Sequence, residues 1–142
     1  MSNQETVQQI YAAFGRGDVP AILDRLAPEV RWDHWPDGSG AQRHGVPWLE
    51  ARTGPDDVGA FFGTVAALEF HRFEPTALIG DGDRVAALID VDVSVRATGE
   101  RFRDVELHLW SFDSDGRVEE FRHFVDTAKH VEAHAARALS GA

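Results

Sequence analysis

The sequence predicts an α+β fold, and three observations carry that prediction. Helical periodicity is confined to the N-terminal residues, to one central stretch and to the C-terminus. Between Phe70 and Val125 the pattern changes to strand-like alternation, and glycine- and aspartate-rich turns cut that region into four strands. Helices and strands in separate blocks belong to α+β folds rather than to alternating α/β ones.

From Gln4 to Phe14 the apolar residues Val7, Ile10, Tyr11 and Phe14 follow helical spacing, and Gly15 and Gly17 end it. Asp18 can cap a second helix, in which Ile22, Leu23 and Leu26 form the buried stripe before Pro28 stops it. A first strand follows from Val30 to Trp35. Residues 36–54, PDGSGAQRHGVPWLEARTG, are rich in glycine and proline, with Val46, Trp48 and Leu49 as apolar anchors. A loop of this length in a compact domain is often a lid, and its anchors favour docking. A third helix is predicted from Asp56 to Leu68, with Val58, Phe61, Phe62 and Val65 on its buried side. Strands are then expected at 70–79, 84–96, 102–112 and 118–125, and a last helix from Thr127 to Leu139.

The stretch from Arg101 to Asp126 reads as a hairpin closed by Asp115-Gly116. A two-residue loop sets Trp110 opposite Phe121 and His108 opposite His123. A four-residue loop shifts these partners but leaves all four on one face, because side chains alternate with a period of two. The reverse face carries Val105, Leu107 and Leu109, with Val118, Glu120, Arg122 and Phe124 on the second strand. In the preceding strand Val85, Ala87, Ile89, Val91, Val93 and Val95 share one face, and Leu88, Asp90 and Asp92 lie on the other. A two-residue turn at Thr98-Gly99 would put Asp90 on the face opposite His108. An odd loop or a bulge would set Asp90 beside His108 and join the two apolar faces, and hydrophobic pattern favours this second register.

The 142 residues suit one domain with a single core, spanning 1–142. The net charge of −10, without a cluster of lysine or arginine, argues against nucleic acid and anionic membrane surfaces as partners. The absence of cysteine removes thiolate chemistry and disulfides. No apolar run approaches the roughly 20 residues of a membrane span, and the N-terminus lacks a signal segment, so a soluble, cytoplasmic chain is expected.

The opening TVQQIYAAFGRGDVPAILDRLAPEVRWDHW and the closing GRVEEFRHFVD, with the order of elements between them, resemble the nuclear-transport-factor-2-like superfamily. This group includes ketosteroid isomerase, limonene epoxide hydrolase and the SnoaL-like polyketide cyclases. The resemblance implies a cone-shaped, strongly curved mixed or antiparallel sheet around an apolar pocket, with a homodimer formed through the outer sheet face. It also implies site positions. His34 stands where the isomerase has its aspartate base, and His108 where it has its second, protonated aspartate. His123 and Asp90 match the two aspartates of the hydrolase, with Leu88 in place of its arginine and Phe121 in place of a tryptophan. The isomerase's oxyanion tyrosine falls at Ile10, one place from Tyr11. Neither parent mechanism is intact, and the pocket positions are refilled with imidazole.

Imidazole replaces a carboxylate readily in proton transfer because both of its forms are accessible near neutral pH. The expected activity is therefore general acid–base catalysis by His34, His108, His123 and Asp90 on a small hydrophobic carbonyl substrate, of isomerase or cyclase type, with no cofactor. Tyr11, Trp35, Trp48, Leu88, Trp110 and Phe121 are the expected substrate contacts. Asp33, alternating with His34, is expected to be exposed, and His44, His71, His130 and His134 to be structural. Three alternatives remain: activation of water on an epoxide, a metal held by His34, His108, His123 and Asp90, and binding of a hydrophobic metabolite or a protein partner without catalysis.

Overall fold

The computed structural model describes residues 1–136, in which four helices pack on one six-stranded sheet. The N-terminal helix α1, Asn3–Gly15, begins at a reciprocal cap: Ser2 Oγ accepts the Glu5 N–H while Glu5 accepts the Ser2 N–H. Helix α2, Val19–Leu23, is a short segment capped by Asp18, whose carboxylate accepts the Ala21 N–H at 3.2 Å. It ends earlier than the apolar spacing predicts. Leu26 instead opens strand β1, Leu26–Trp32, and Pro28 sits inside that strand rather than terminating a helix.

Residues 36–54 contain three short 3₁₀ turns and strand β2, Arg52–Thr53, and lead into helix α3, Pro55–Val65. The remaining strands are β3, Leu68–Asp81, β4, Arg84–Val95, β5, Arg101–Phe112, and β6, Val118–Phe124, followed by helix α4, Thr127–Ala135. The predicted last turn of that helix, to Leu139, lies outside the described residues. The sheet order is β2-β1-β6-β5-β4-β3, antiparallel throughout except for the parallel pair β1–β6. Register shifts between Phe70 and Arg72 and between Pro75 and Ala77 interrupt β3. This is an edge strand, where a proline without an N–H costs no ladder bond and bulges increase local twist. The result is a curved, open sheet in an α+β fold, the class the sequence predicts and the curvature the family resemblance implies.

The β5–β6 register is the one derived from sequence: His108 faces His123 and Trp110 faces Phe121. The turn differs from the two-residue loop. Asp113 Oδ1 accepts the backbone N–H groups of Asp115 and Arg117, Phe112 pairs with Val118, and a one-residue irregularity beside Ser111 restores the expected pairs. That irregularity also turns Val118 inward, where it is fully buried.

The β4–β5 register corrects the favoured expectation. The connection is an even one, Val95 pairing with Glu100 across residues 96–99, so Ala87 faces His108 and Asp90 faces Val105. Asp90 and Leu88 therefore lie on the outer face, Asp90 ion-paired to Arg72 at 3.5 Å and Leu88 opposite Leu107. Strand β5 has its polar side inward. Asp104, Glu106 and His108 are buried, whereas Val105 is 64 % exposed. The alternating valines and Ile89 of β4 fill the inner face beside them. Burial of each such side chain stabilises the fold by about 1.5–3 kcal/mol.

Candidate functional site

The inner face of the sheet, α1 and α3 line a half-open cavity. Aromatic side chains make most of its wall. Trp32 stacks on Phe121 with centroids 4.0 Å apart, Trp110 lies 4.5 Å from Phe121, and Phe14 and Phe73 meet at 4.9 Å. Such rings bury large apolar areas and hold fixed mutual orientations, so the cavity keeps its shape. Tyr11, Trp48, Trp110, Phe121, His108 and His123 all line it. His108 and His123 are perpendicular, 6.0 Å apart.

His123 is held from behind. Asp33 stands at the end of β1 with φ of 57°, a left-handed conformation that short polar residues tolerate. This single residue breaks the strand alternation. It turns the Asp33 side chain inward, leaving it 1 % exposed, against the expectation that it would face solvent. Its Oδ1 accepts the His123 backbone N–H at 2.9 Å, and Oδ2 lies 2.6 Å from His123 Nδ1 in a close, bent contact. Arg43, from the long loop, donates to the His123 carbonyl at 2.8 Å and holds its guanidinium 3.9 Å from Asp33. Burial lowers the proton affinity of this guanidinium while the Asp33 carboxylate works against that loss. With Nδ1 against a carboxylate, the ring proton belongs on Nδ1. Nε2 has no hydrogen-bond partner among the described residues.

His108 has both ring nitrogens engaged. Nε2 is 3.0 Å from Glu106 Oε1, and Nδ1 is 2.7 Å from the Tyr11 hydroxyl, which in turn accepts the Trp110 indole N–H at 3.0 Å. Burial works to raise the Glu106 carboxyl, but hydrogen bonds from His108 and His130 outweigh it and hold the group well below the ordinary carboxylate range. Burial lowers the His108 imidazole, with Glu106 opposing, so the ring is neutral. A neutral ring that donates from Nε2 must accept at Nδ1, so the Tyr11 O–H donates to it. Burial also raises the Tyr11 phenol, keeping its proton in place.

His130, from α4, extends this network and lines the cavity. Its Nε2 lies 3.1 Å from Asp104 and 3.5 Å from Glu106, and its Nδ1 accepts the Trp48 indole N–H at 3.0 Å. Burial disfavours its cation, but bonds to Asp104 and Glu106 raise its proton affinity overall. Asp104, Glu106 and His130 are close enough to suggest a cation site. The donor set does not fit one: a metal on Nε2 would move the ring proton to Nδ1 and aim it at the indole N–H.

The structure separates the other expected residues. His34 points away from the cavity and bonds through Nε2 to the Arg52 carbonyl at 2.8 Å and the Thr53 hydroxyl at 3.0 Å. Trp35 lies outside the cavity, under the Arg43 guanidinium at 4.3 Å and edge-on to Phe124. Asp90 and Leu88 occupy the outer face, so His34, His108, His123 and Asp90 do not converge on a metal. The loop 36–54 packs beside the cavity through Trp48 and behind His123 through Arg43. Asp33, Arg43, Glu106 and His130 are the residues sequence reasoning missed. Glu106 was within reach, because it is two residues from His108 and so shares its face.

Residues 7–121 match the SnoaL-like domain family, and the chain belongs to that family. Among solved structures it is similar to a nuclear-transport-factor-2-like protein of unknown function from Burkholderia pseudomallei, at 34 % identity and TM-score 0.78, covering 96 % of this chain and 100 % of that one. It is also similar to TerC co-crystallised with polyporic acid, at 28 % identity and TM-score 0.73, covering 92 % and 96 % of the two chains. A protein from Jannaschia described as a SnoaL-like polyketide cyclase shares the fold at 19 % identity and TM-score 0.70, with 92 % and 90 % covered. No curated protein matches the sequence. No helix among the described residues is long and apolar enough to cross a membrane.

Proposed function

We propose that this chain is an acid–base enzyme acting on a small hydrophobic carbonyl compound, of isomerase or cyclase type. The observation that carries this reading is the His123 ring, with Nδ1 against buried Asp33 and an unpartnered Nε2 in an aromatic-walled cavity. His123 Nε2 removes a proton from the carbon next to the carbonyl, and Asp33 stabilises the imidazolium that forms. The electron pair moves to the carbonyl oxygen, where the Tyr11 O–H donates to the developing charge. The proton then returns from His123 to another carbon, giving an isomer, or the enolate attacks a second carbonyl of the same molecule, closing a ring. The similar protein TerC was co-crystallised with polyporic acid, which supports a reading in which the cavity holds an organic ligand. The proposed general base is therefore His123, with Asp33 as its positioning residue in place of the expected Asp90.

Deuterium exchange at the carbon next to the carbonyl of 1-tetralone, followed by NMR in deuterium oxide, tests this. The wild type should exchange that position faster than buffer, and His123→Gln should return the rate to that of buffer. Equal rates for wild type and buffer would remove the reading in favour of simple binding. We further infer that the chain pairs with a second copy through the outer sheet face. There Leu88, Leu107 and Phe124 form a row across three strands, beside exposed Val105.

A further inference from the structure

The polar groups lining the cavity form one hydrogen-bonded chain, and with His108 neutral each of its bonds has a single direction. Indoles only donate and an ionised carboxylate only accepts. Trp110 Nε1–H therefore donates to the Tyr11 oxygen, Tyr11 O–H to His108 Nδ1, and His108 Nε2–H to Glu106. His130 Nε2–H meets Asp104 and Glu106 from the other side, and Trp48 Nε1–H closes that end. Tyr11 has one proton, and in the free protein His108 holds it. A carbonyl ligand cannot receive that proton unless His108 gives it up. A buried imidazole nitrogen left without a donor is costly.

We propose that an aryl ketone binds in the cavity by taking the Tyr11 O–H onto its carbonyl oxygen, and that His108 then takes up one proton from solvent at the vacated Nδ1. The proposal rests on the carbonyl reading above and adds its proton stoichiometry. Protein with neutral His108, ketone and one proton give a complex carrying a His108 cation. The Tyr11 O–H bond is kept and changes only its acceptor, and no bond to carbon forms or breaks. In the complex His108 Nδ1–H and Trp110 Nε1–H both donate to the Tyr11 oxygen, filling its two lone pairs while its proton serves the ligand.

Burial opposes this cation, and the groups facing His108 work in part against burial. Glu106 on its own strand holds Nε2–H, and Tyr11 from α1 receives Nδ1–H. His123 from β6 stands 6.0 Å away, and its positive form opposes a second charge. Asp33 at the end of β1 favours the cation, offset by Arg43 beside it. His130 from α4 shares Glu106 with His108 and is held there by Asp104. A hydrocarbon of the same shape fills the cavity without drawing on Tyr11, so it leaves the chain intact.

Calorimetric titration with 1-tetralone, in buffers of different ionisation enthalpy at the same pH, reads the proton directly. Tetralin, the same ring system without the oxygen, is the control. The expected result is net proton uptake with tetralone and none with tetralin. Tetralone affinity should rise as pH is lowered from about 8 to about 6, by up to about tenfold per unit. Tyr11→Phe and His108→Gln, checked for fold by circular dichroism, should bind tetralone without uptake. No tetralone binding up to its solubility, no uptake by wild type, equal uptake with tetralin, or uptake surviving in Tyr11→Phe would each overturn the proposal. Uptake without deuterium exchange would remove the catalytic reading and leave this one standing, and exchange without uptake would do the reverse.

Discussion

Asp33→Asn is the substitution that separates packing from chemistry at this site. Asparagine has the same shape and tolerates the left-handed backbone at φ of 57°, so the chain path is preserved. Its oxygen can still accept the His123 backbone N–H, the 2.9 Å bond. What is lost is the charged contact with Nδ1 at 2.6 Å and the attraction of Arg43 at 3.9 Å. Leaving the buried His123 Nδ1 and the Arg43 guanidinium without a charged partner costs about 1–3 kcal/mol, which at this chain length lowers Tm by about 3–12 °C. The chemical effect should be larger. The amide N–H₂ donates to Nδ1, moving the ring proton to Nε2 and removing the lone pair from the cavity. Replacing the orienting aspartate of a serine-protease triad by asparagine costs about 10⁴-fold for this reason, and a loss of about 10³- to 10⁴-fold in tetralone exchange is expected here. A melting curve and the NMR exchange assay measure the two effects on the same sample. A folded Asp33→Asn protein that exchanges within tenfold of wild type would refute the assignment of Asp33.

Three further outcomes are expected. His34→Ala and Asp90→Asn should leave exchange within about twofold of wild type, because one side chain bonds to β2 and the other ion-pairs on the outer face; a large loss in either, read by the same assay, would restore the sequence-based assignment. Burial holds the His108 imidazole below its usual value, and bonds from His108 and His130 hold Glu106 below its own. Both contributions are present above the unfolded values near 6.5 and 4.5 and are lost as pH falls. His130, raised by Asp104 and Glu106, works in the opposite sense below about 6.5, but its cation sets Nδ1–H against the Trp48 indole N–H, which limits that contribution. Urea midpoints should therefore fall as pH drops below about 6.5 and fall further below about 4.5, and the part of the fall below about 4.5 should shrink in Glu106→Gln. Leu107→Glu should convert a dimer to a monomer in analytical ultracentrifugation, with far-UV circular dichroism unchanged; a wild-type monomer would contradict the proposed pairing.

Much of the fold was legible because its determinants are local. The alternation in β4, the Asp-Gly turn before β6 and the spacing of Val7, Ile10 and Phe14 each follow from one backbone period. The pairing of His108 with His123 was also legible, since a single turn ties the two strands. The site was harder to read where burial and polarity part company. Strand β5 keeps its carboxylates inside and Val105 outside, so a rule that sends apolar residues to the core assigned the wrong partner face to Asp90. One residue with positive φ exchanged Asp33 for His34, and no periodicity predicts such a reversal. Arg43 and His130 reach the site from a loop and a helix remote in sequence, and their positions follow only from the assembled sheet. Polar residues buried against local preference are the ones expected where a fold gives up stability for a site.

The most direct test of the account is a long-range ¹⁵N–¹H NMR spectrum of the histidine side chains near neutral pH. The account predicts a His123 ring proton on Nδ1 with a bare Nε2, beside a His108 ring with the proton on Nε2. A His123 proton found on Nε2 instead would contradict it, because the cavity would then hold no free base.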